Sequence, residues 1–256
     1  MRMTIMKALL PALTLLAALF ASGFTSAAQV IEAKARPVDF RACIFRDGKT
    51  MADLEKVNEK FRNYANKHDF AYSAWTLTPQ YQNGIDFDVG WLGSWPDGAS
   101  YGASMEQWNS TGRDIAAEFN TVVDCSSRHE MAMSFPINAA DGAPRDGVVL
   151  FYACTLNDGK TVADAYAAHL ESGTAMKAMG SQGLSWFFQP ALGTGPIDFD
   201  YYWVVAFNRL AEMGATMDMY VNGGGMKKAM SILSKVSSCD TATVFDALSV
   251  RYDDER

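Results

Sequence analysis

The sequence predicts an α+β protein built from two tandem βαββαβ units. Three observations lead to this fold class: an internal repeat, apolar runs typical of strands, and capped helical patterns between them. The repeat is clearest at residues 43–53, CIFRDGKTMAD, which return as CTLNDGKTVAD at residues 154–164, an offset of 111. Each element of one half therefore predicts a counterpart in the other half.

Residues 1–28 have the pattern of a secretory signal peptide. Arg2 and Lys7 precede an apolar run, and small residues follow it up to Ala28. This pattern is typical of a cleaved signal, and the run is shorter than the roughly 20 residues of a membrane-spanning helix. The mature protein is expected to be soluble and periplasmic or secreted, with no membrane anchor after cleavage.

Composition narrows the range of partners. The 256 residues carry a formal net charge of −7. An acidic chain lacks the basic surface that contacts phosphates, so no nucleic-acid partner is expected. The four cysteines of an exported chain favour disulfides over metal ligation.

The first repeat is assigned to residues 38–137. Thr50 and Asp53 form a predicted capping box at the first helix, Pro79 is expected to end the second strand, and Gly102 and Gly112 weaken the second helix. The predicted elements are strand 39–46, a helix from residue 50 to 67, strands 70–78 and 85–95, helix 98–123 and strand 128–137.

Residues 138–147 are rich in Gly, Pro, Asp and Ala and are predicted to be a linker. The second repeat, 148–251, follows the order of the first. Thr161 and Asp164 repeat the capping box, Pro190 ends the second strand, and the glycines at 223–225 break the last helix. Its predicted elements are strand 148–156, helix 161–180, strands 183–189 and 197–208, helix 210–235 and strand 241–250.

A βαββαβ unit of about 100 residues is the ferredoxin-like split βαβ motif, which covers one sheet face with helices and leaves the other face open. The repeat order and the open face resemble the dimeric α/β-barrel superfamily, which includes antibiotic-biosynthesis-monooxygenase-like proteins. The resemblance implies two tandem ferredoxin-like βαββαβ repeats that pack sheet to sheet as an intramolecular pseudo-dimeric α/β barrel. Such a chain does not require a further oligomer.

The cysteines fit this strand order, because strand four lies antiparallel beside strand one. The end of strand one then neighbours the start of strand four in each repeat. We expect one bridge per repeat, Cys43–Cys125 and Cys154–Cys239. Other pairings or free thiols are alternatives, and the equal placement of the pairs in both repeats argues against them.

Aromatic residues of strands two and three are the candidate ligand-binding residues. Side chains of this type fill cores most often, but they could also line an apolar pocket between the sheets. The candidate residues are Trp75, Trp91, Trp186, Tyr202, Trp203 and Asn208.

No nucleophile elbow, HExxH or Ser-His-Asp order is visible in the sequence. The sequence therefore favours a non-enzymatic protein without a cofactor that binds a small apolar or aromatic ligand in the inter-sheet cavity. The resemblance implies an alternative, a cofactor-free monooxygenase with Trp, Tyr and Asn side chains around a buried substrate. Its candidates would be Trp186, Tyr202, Trp203 and Asn208.

Two further hypotheses concern ions and haem. The acidic pairs Asp86/Asp88 and Asp198/Asp200 are interpreted as solvated strand ends. The alternatives are general acid/base groups or a cation site, which would suit calcium because no histidine ligand is near. His169 is the one histidine that we would test as an axial haem ligand, a role implied by haem-binding members of the superfamily.

Overall fold

The computed structural model describes residues 31, 33–82, 84–139 and 146–253. The predicted signal peptide and most of the predicted linker lie outside these residues. The strands are β1 (Arg36–Phe45), β2 (Ser73–Tyr81), β3 (Val89–Ser94), β4 (Val123–Asn138), β5 (Gly147–Leu156), β6 (Leu184–Leu192), β7 (Tyr201–Phe207), β8 (Ser237–Cys239) and β9 (Thr243–Arg251). The helices are α1 (Met51–Lys67), α2 (Gly98–Thr111), α3 (Arg113–Val122), α4 (Val162–Ala178), α5 (Leu210–Val221) and α6 (Gly225–Leu233).

Eight strands form a closed antiparallel barrel. Their order is β7-β6-β4-β1-β3-β2-β9-β5, and β5 pairs with β7 to close the ring. The short β8 adds to β5 outside the ring. The order is the same in both halves of the chain, β4-β1-β3-β2 and β9-β5-β7-β6.

The two halves do not pack sheet to sheet as expected, because their strands join into one closed ring. The two halves join edge to edge, through β2 with β9 and β4 with β6. Open strand edges would leave backbone groups unpaired, and a closed barrel removes them. The apolar core of the barrel interior includes Trp75, Leu77, Phe188 and Phe245.

Several predicted strand boundaries are wrong because pairing with strands distant in sequence extends the strands. Strands β2 and β6 continue through Pro79 and Pro190, because the other half supplies their partners. Irregular pairing lies beside both prolines, where a missing amide proton is tolerated. Strand β4 begins at Val123 rather than at residue 128, since β1 pairs with it up to Phe45.

The helices cover the outer face of the barrel. Thr161 and Asp164 form the predicted capping box at α4, with Asp164 accepting from the Thr161 amide at 2.9 Å. The predicted second helix of the first half is two helices that meet at Gly112. The predicted break at the glycines before α6 is present. In the described residues no helix is long and apolar enough to cross a membrane.

Both disulfides have the predicted pairing, Cys43–Cys125 and Cys154–Cys239. Cys154 lies directly opposite Cys239 in the β5–β8 pairing. Cys43 lies at the irregularity in the β1–β4 pairing. The bridges close segments of 82 and 85 residues, for which chain entropy gives about 4 kcal/mol each.

Candidate functional site

Three cavities differ in their position relative to the barrel wall. A lumen cavity of about 610 Å³ lies inside the barrel. A smaller interior cavity of about 150 Å³, the far-end pocket, includes Arg128, Glu130 and Tyr202. A third cavity of about 270 Å³, the helix–sheet pocket, lies between the outer face of the first-half strands and helices α1–α3.

Aromatic side chains from four elements wall the helix–sheet pocket. Phe61 of α1 is central, with its ring centroid 5.4 Å from that of Trp91 on β3 and 5.8 Å from that of Trp108 on α2. Phe119 of α3 lies 5.6 Å from Trp91. These edge-to-face contacts fix the relative orientation of the rings that wall the pocket.

A polar cluster around the buried Asp39 carboxylate lies at the same pocket. Asp39 is only 4% exposed, and its carboxylate lies 3.1 Å from His129 Nε2 and 3.4 Å from Arg41 Nε. The Tyr72 hydroxyl donates to Asp39 at 3.4 Å and accepts from Trp91 Nε1 at 2.6 Å. The three side chains therefore form a chain of hydrogen bonds, in which Trp91 donates to Tyr72 and Tyr72 donates to Asp39.

Tyr72 keeps its proton at neutral pH. Burial, followed by the negative charge of Asp39, raises the pKa of Tyr72 well above its usual range. Gly93 makes the close packing of the two groups possible, since a side chain at this position would collide with the Tyr72 hydroxyl and the Asp39 carboxylate. The cluster thus pairs a fixed hydrogen-bond donor, the Tyr72 hydroxyl, with a buried carboxylate that accepts from it.

Trp95 adds a donor that the protein itself does not use. Its side chain is 4% exposed and lines the pocket, and its Nε1 has no hydrogen-bond partner among the described residues. An unpartnered buried donor is costly unless a ligand accepts from it. Trp95 is therefore suited to hold a carbonyl or phenolate oxygen.

The second half does not repeat this pocket. Asp39, Arg41 and Gly93 correspond there to Leu150, Tyr152 and Val205. Tyr152 stacks on Trp203 with ring centroids 4.7 Å apart, and His169, 1% exposed, fills the space beside them. One half of the duplicated chain thus carries the polar cluster, and the other half packs the equivalent space with aromatic rings.

The haem hypothesis does not fit the surroundings of His169. Its Nε2 lies 3.0 Å from the Tyr201 hydroxyl, which lies 2.6 Å from Ser237 Oγ. Burial lowers the pKa of His169 to about 4, so the ring is neutral at pH 7. His169 lines none of the three cavities, and rings of Phe187, Tyr201 and Trp203 surround it.

The predicted ligand-binding residues separate into distinct places. Trp75 and Trp186 line the lumen cavity, and Tyr202 lines the far-end pocket. Trp91 and Trp203 lie on the helix-covered face instead, because neighbouring residues of a strand point to opposite faces. Asn208 is exposed between β7 and α5. Trp91, Trp203 and Asn208 are therefore not residues of the barrel interior.

The acidic pairs lie in the exposed segments that lead into β3 and β7. Asp86, Asp88, Asp198 and Asp200 are all exposed. Asp88 accepts from the Phe45 amide at 2.8 Å, and Asp200 accepts from the Leu156 amide at 2.7 Å. The described residues contain no group of three His, Cys, Asp or Glu side chains that could hold a metal.

Sequence reasoning did not find Asp39, Arg41 and Gly93. Alternation on β1 places Asp39, Arg41 and Cys43 on one face, which would be exposed in an uncovered sheet. The signal lay in the repeat, because Leu150 and Tyr152 at the matching positions indicate that this face is covered. Polar residues on a covered face require partners and mark a candidate site.

No protein-family model and no curated protein matches the sequence. Solved structures share the fold. A candidate monooxygenase from Fusobacterium nucleatum subsp. nucleatum matches with a TM-score of 0.54 at 9% identity, over 87% of this chain and 95% of that one. A candidate monooxygenase from Lactobacillus acidophilus NCFM gives 0.53 at 12%, over 86% and 96%. An anthrone oxidase-like protein gives 0.51 at 11%, over 88% and 95%.

The chain thus has the fold of the dimeric α/β-barrel superfamily. The neighbours also overturn the expectation of a non-enzymatic protein, because the proteins that share this fold are described as monooxygenases and as oxidase-like.

Proposed function

We propose that this protein is an enzyme that oxidises an electron-rich aromatic substrate with dioxygen in the helix–sheet pocket. The observation that carries the proposal is the meeting of Asp39, Tyr72 and Trp95 at a pocket with aromatic walls. Fold neighbours described as monooxygenases and as an anthrone oxidase-like protein support the reaction class. The resemblance seen in the sequence favours chemistry without a cofactor.

An anthrone is a substrate of this class, because its ring methylene is acidic. The Asp39 carboxylate takes a proton from the methylene carbon, and the Trp95 N–H donates to the resulting enolate oxygen. The carbanion adds dioxygen, and the peroxide anion takes the proton back from Asp39. The hydroperoxide then loses water, so that anthrone and dioxygen give anthraquinone and water.

The test is oxygen uptake with anthrone, compared with the rate in buffer. Asp39→Asn should lower kcat/KM about 100-fold, because it removes the proton acceptor. Asp86→Asn, the same change at an exposed carboxylate, is the matched control and should keep full activity. Circular dichroism would establish that both variants fold. Wild-type uptake no faster than buffer, or an active Asp39→Asn, would refute the proposal.

We further infer that the two halves are tandem ferredoxin-like repeats, 38–137 and 148–251, joined as an intramolecular pseudo-dimer. Equal strand orders and matching disulfides support this organisation. Export to the periplasm or medium is also part of the proposal, since disulfides persist in oxidising compartments. Cell fractionation and N-terminal sequencing would test it, and a cytoplasmic protein that starts at Met1 would contradict it.

A further inference from the structure

The lumen cavity is a second site on the other side of the barrel wall from the helix–sheet pocket. Its volume of about 610 Å³ lies within the range of small-molecule sites, about 300–1,000 Å³. Trp75 and Leu77 line it together with Phe188, and all three side chains are buried. Trp75 and Leu77 alternate along β2 with Thr76, which lines the helix–sheet pocket, so the barrel wall separates the two cavities.

The charged residues in the described lining of the lumen cavity are all basic. Lys34 and Arg36 are exposed residues of its lining, and no acidic residue is part of the described lining. Lys34 precedes β1, whereas Arg36 lies within β1 and pairs across the sheet with Ser134. Arg36 has no ion pair or side-chain hydrogen bond among the described residues. Arg36 is therefore the better-placed cation for a ligand.

Two serine hydroxyl groups lie near Arg36 in the lining of the lumen cavity. Ser134 is the direct cross-strand partner of Arg36, and Ser94 pairs with Val38, the next residue of β1 on the same face. Both serines line the cavity. The polar groups are thus an exposed cation and two hydroxyls, and the remaining lining is largely apolar.

We propose that the barrel lumen binds an amphipathic carboxylate, with its apolar body between Trp75 and Trp186 and its carboxylate at Arg36. A neutral apolar molecule would leave the guanidinium unused, and an amphipathic cation would be repelled by Arg36 and Lys34. This binding is independent of the proposed oxidation in the helix–sheet pocket.

Calorimetry with three probes of equal chain length tests the proposal: octanoate, octan-1-ol and octylammonium. Octanoate should bind the wild-type protein most tightly. Arg36→Ala should weaken octanoate about tenfold, as loss of a charged hydrogen bond predicts, and leave octan-1-ol unchanged. Lys49→Ala, at an exposed lysine of the β1–α1 turn, is the matched control and should bind like wild type.

Two more variants separate the lumen from the other pocket. Ala247→Leu, a substitution of a small lining residue, should abolish octanoate binding, whereas Trp95→Phe should leave it intact. If Ala247→Leu does not fold, Arg36→Ala still tests whether octanoate binds in the lumen cavity. Equal affinity for octanoate and octylammonium, an unchanged Arg36→Ala, or no binding of octanoate at millimolar concentration would overturn the proposal without bearing on anthrone oxidation.

Discussion

At the scale of single residues, a buried neutral histidine makes the stability of this protein depend on pH. The pKa of His169 lies at about 4, below its ordinary value of 6.5. The unfolded chain therefore takes up this proton first as the pH falls. The free energy of unfolding decreases as the pH falls from about 6.5 towards about 4 and is unaffected by this group above that range.

His169→Asn should remove this dependence, because asparagine does not titrate and the matching residue of the first half is Asn58. Wild type should lose about 2 kcal/mol between pH 7 and pH 5 from this group. Urea denaturation at both values measures the loss in wild type and variant. His68→Asn, at a partly exposed histidine, is the control. An unchanged pH dependence in His169→Asn would contradict the assignment.

At the scale of elements, glycines in the outer helices serve different purposes. Gly102 lies within α2, and a methyl group there would meet no atom within 4 Å. Gly225 begins α6, and a methyl group there would lie 2.8 Å from the Tyr220 Cα atom. Only the second glycine is required by a close approach of two backbones.

Gly102→Ala should raise the free energy of unfolding by about 0.5–1 kcal/mol, since alanine loses less backbone entropy in a helix. Gly225→Ala should lower it by about 1–3 kcal/mol through overpacking. Thermal or urea unfolding of the pair provides the measurement, with each variant as the control for the other. Equal effects would show that helix propensity alone determines both.

Elements with local signals were predictable. The capping box at Thr161 and Asp164 and the break before Gly225 depend on residues that lie close in sequence. Elements that depend on the other half were not: Pro79 and Pro190 read as strand ends because the pairing that carries β2 and β6 past them comes from distant strands. The candidate site could not be predicted for the same reason, since Asp39, Tyr72 and Trp95 come together only when β3 pairs with both β1 and β2.

At the scale of the whole molecule, each disulfide ties a late strand of its half to the first strand. Replacing Cys43 and Cys125 by alanine should lower the free energy of unfolding by about 4 kcal/mol, because the unfolded chain regains the freedom of an 82-residue segment. The Cys154/Cys239 pair offers a matched comparison with its separation of 85 residues. Urea denaturation of both double variants would test this, and a loss below about 1 kcal/mol in both would contradict the entropic account.

The closed ring should hold the two halves of the protein together even when the chain between them is cut. Each half ends in two strand edges, at β2 and β4 or at β6 and β9, whose hydrogen-bonding groups are satisfied by the other half. Proteolytic cleavage between residues 139 and 146 would cut the covalent connection but leave both seams in place. The two fragments should therefore stay associated, and separately expressed fragments should complement each other to restore the barrel.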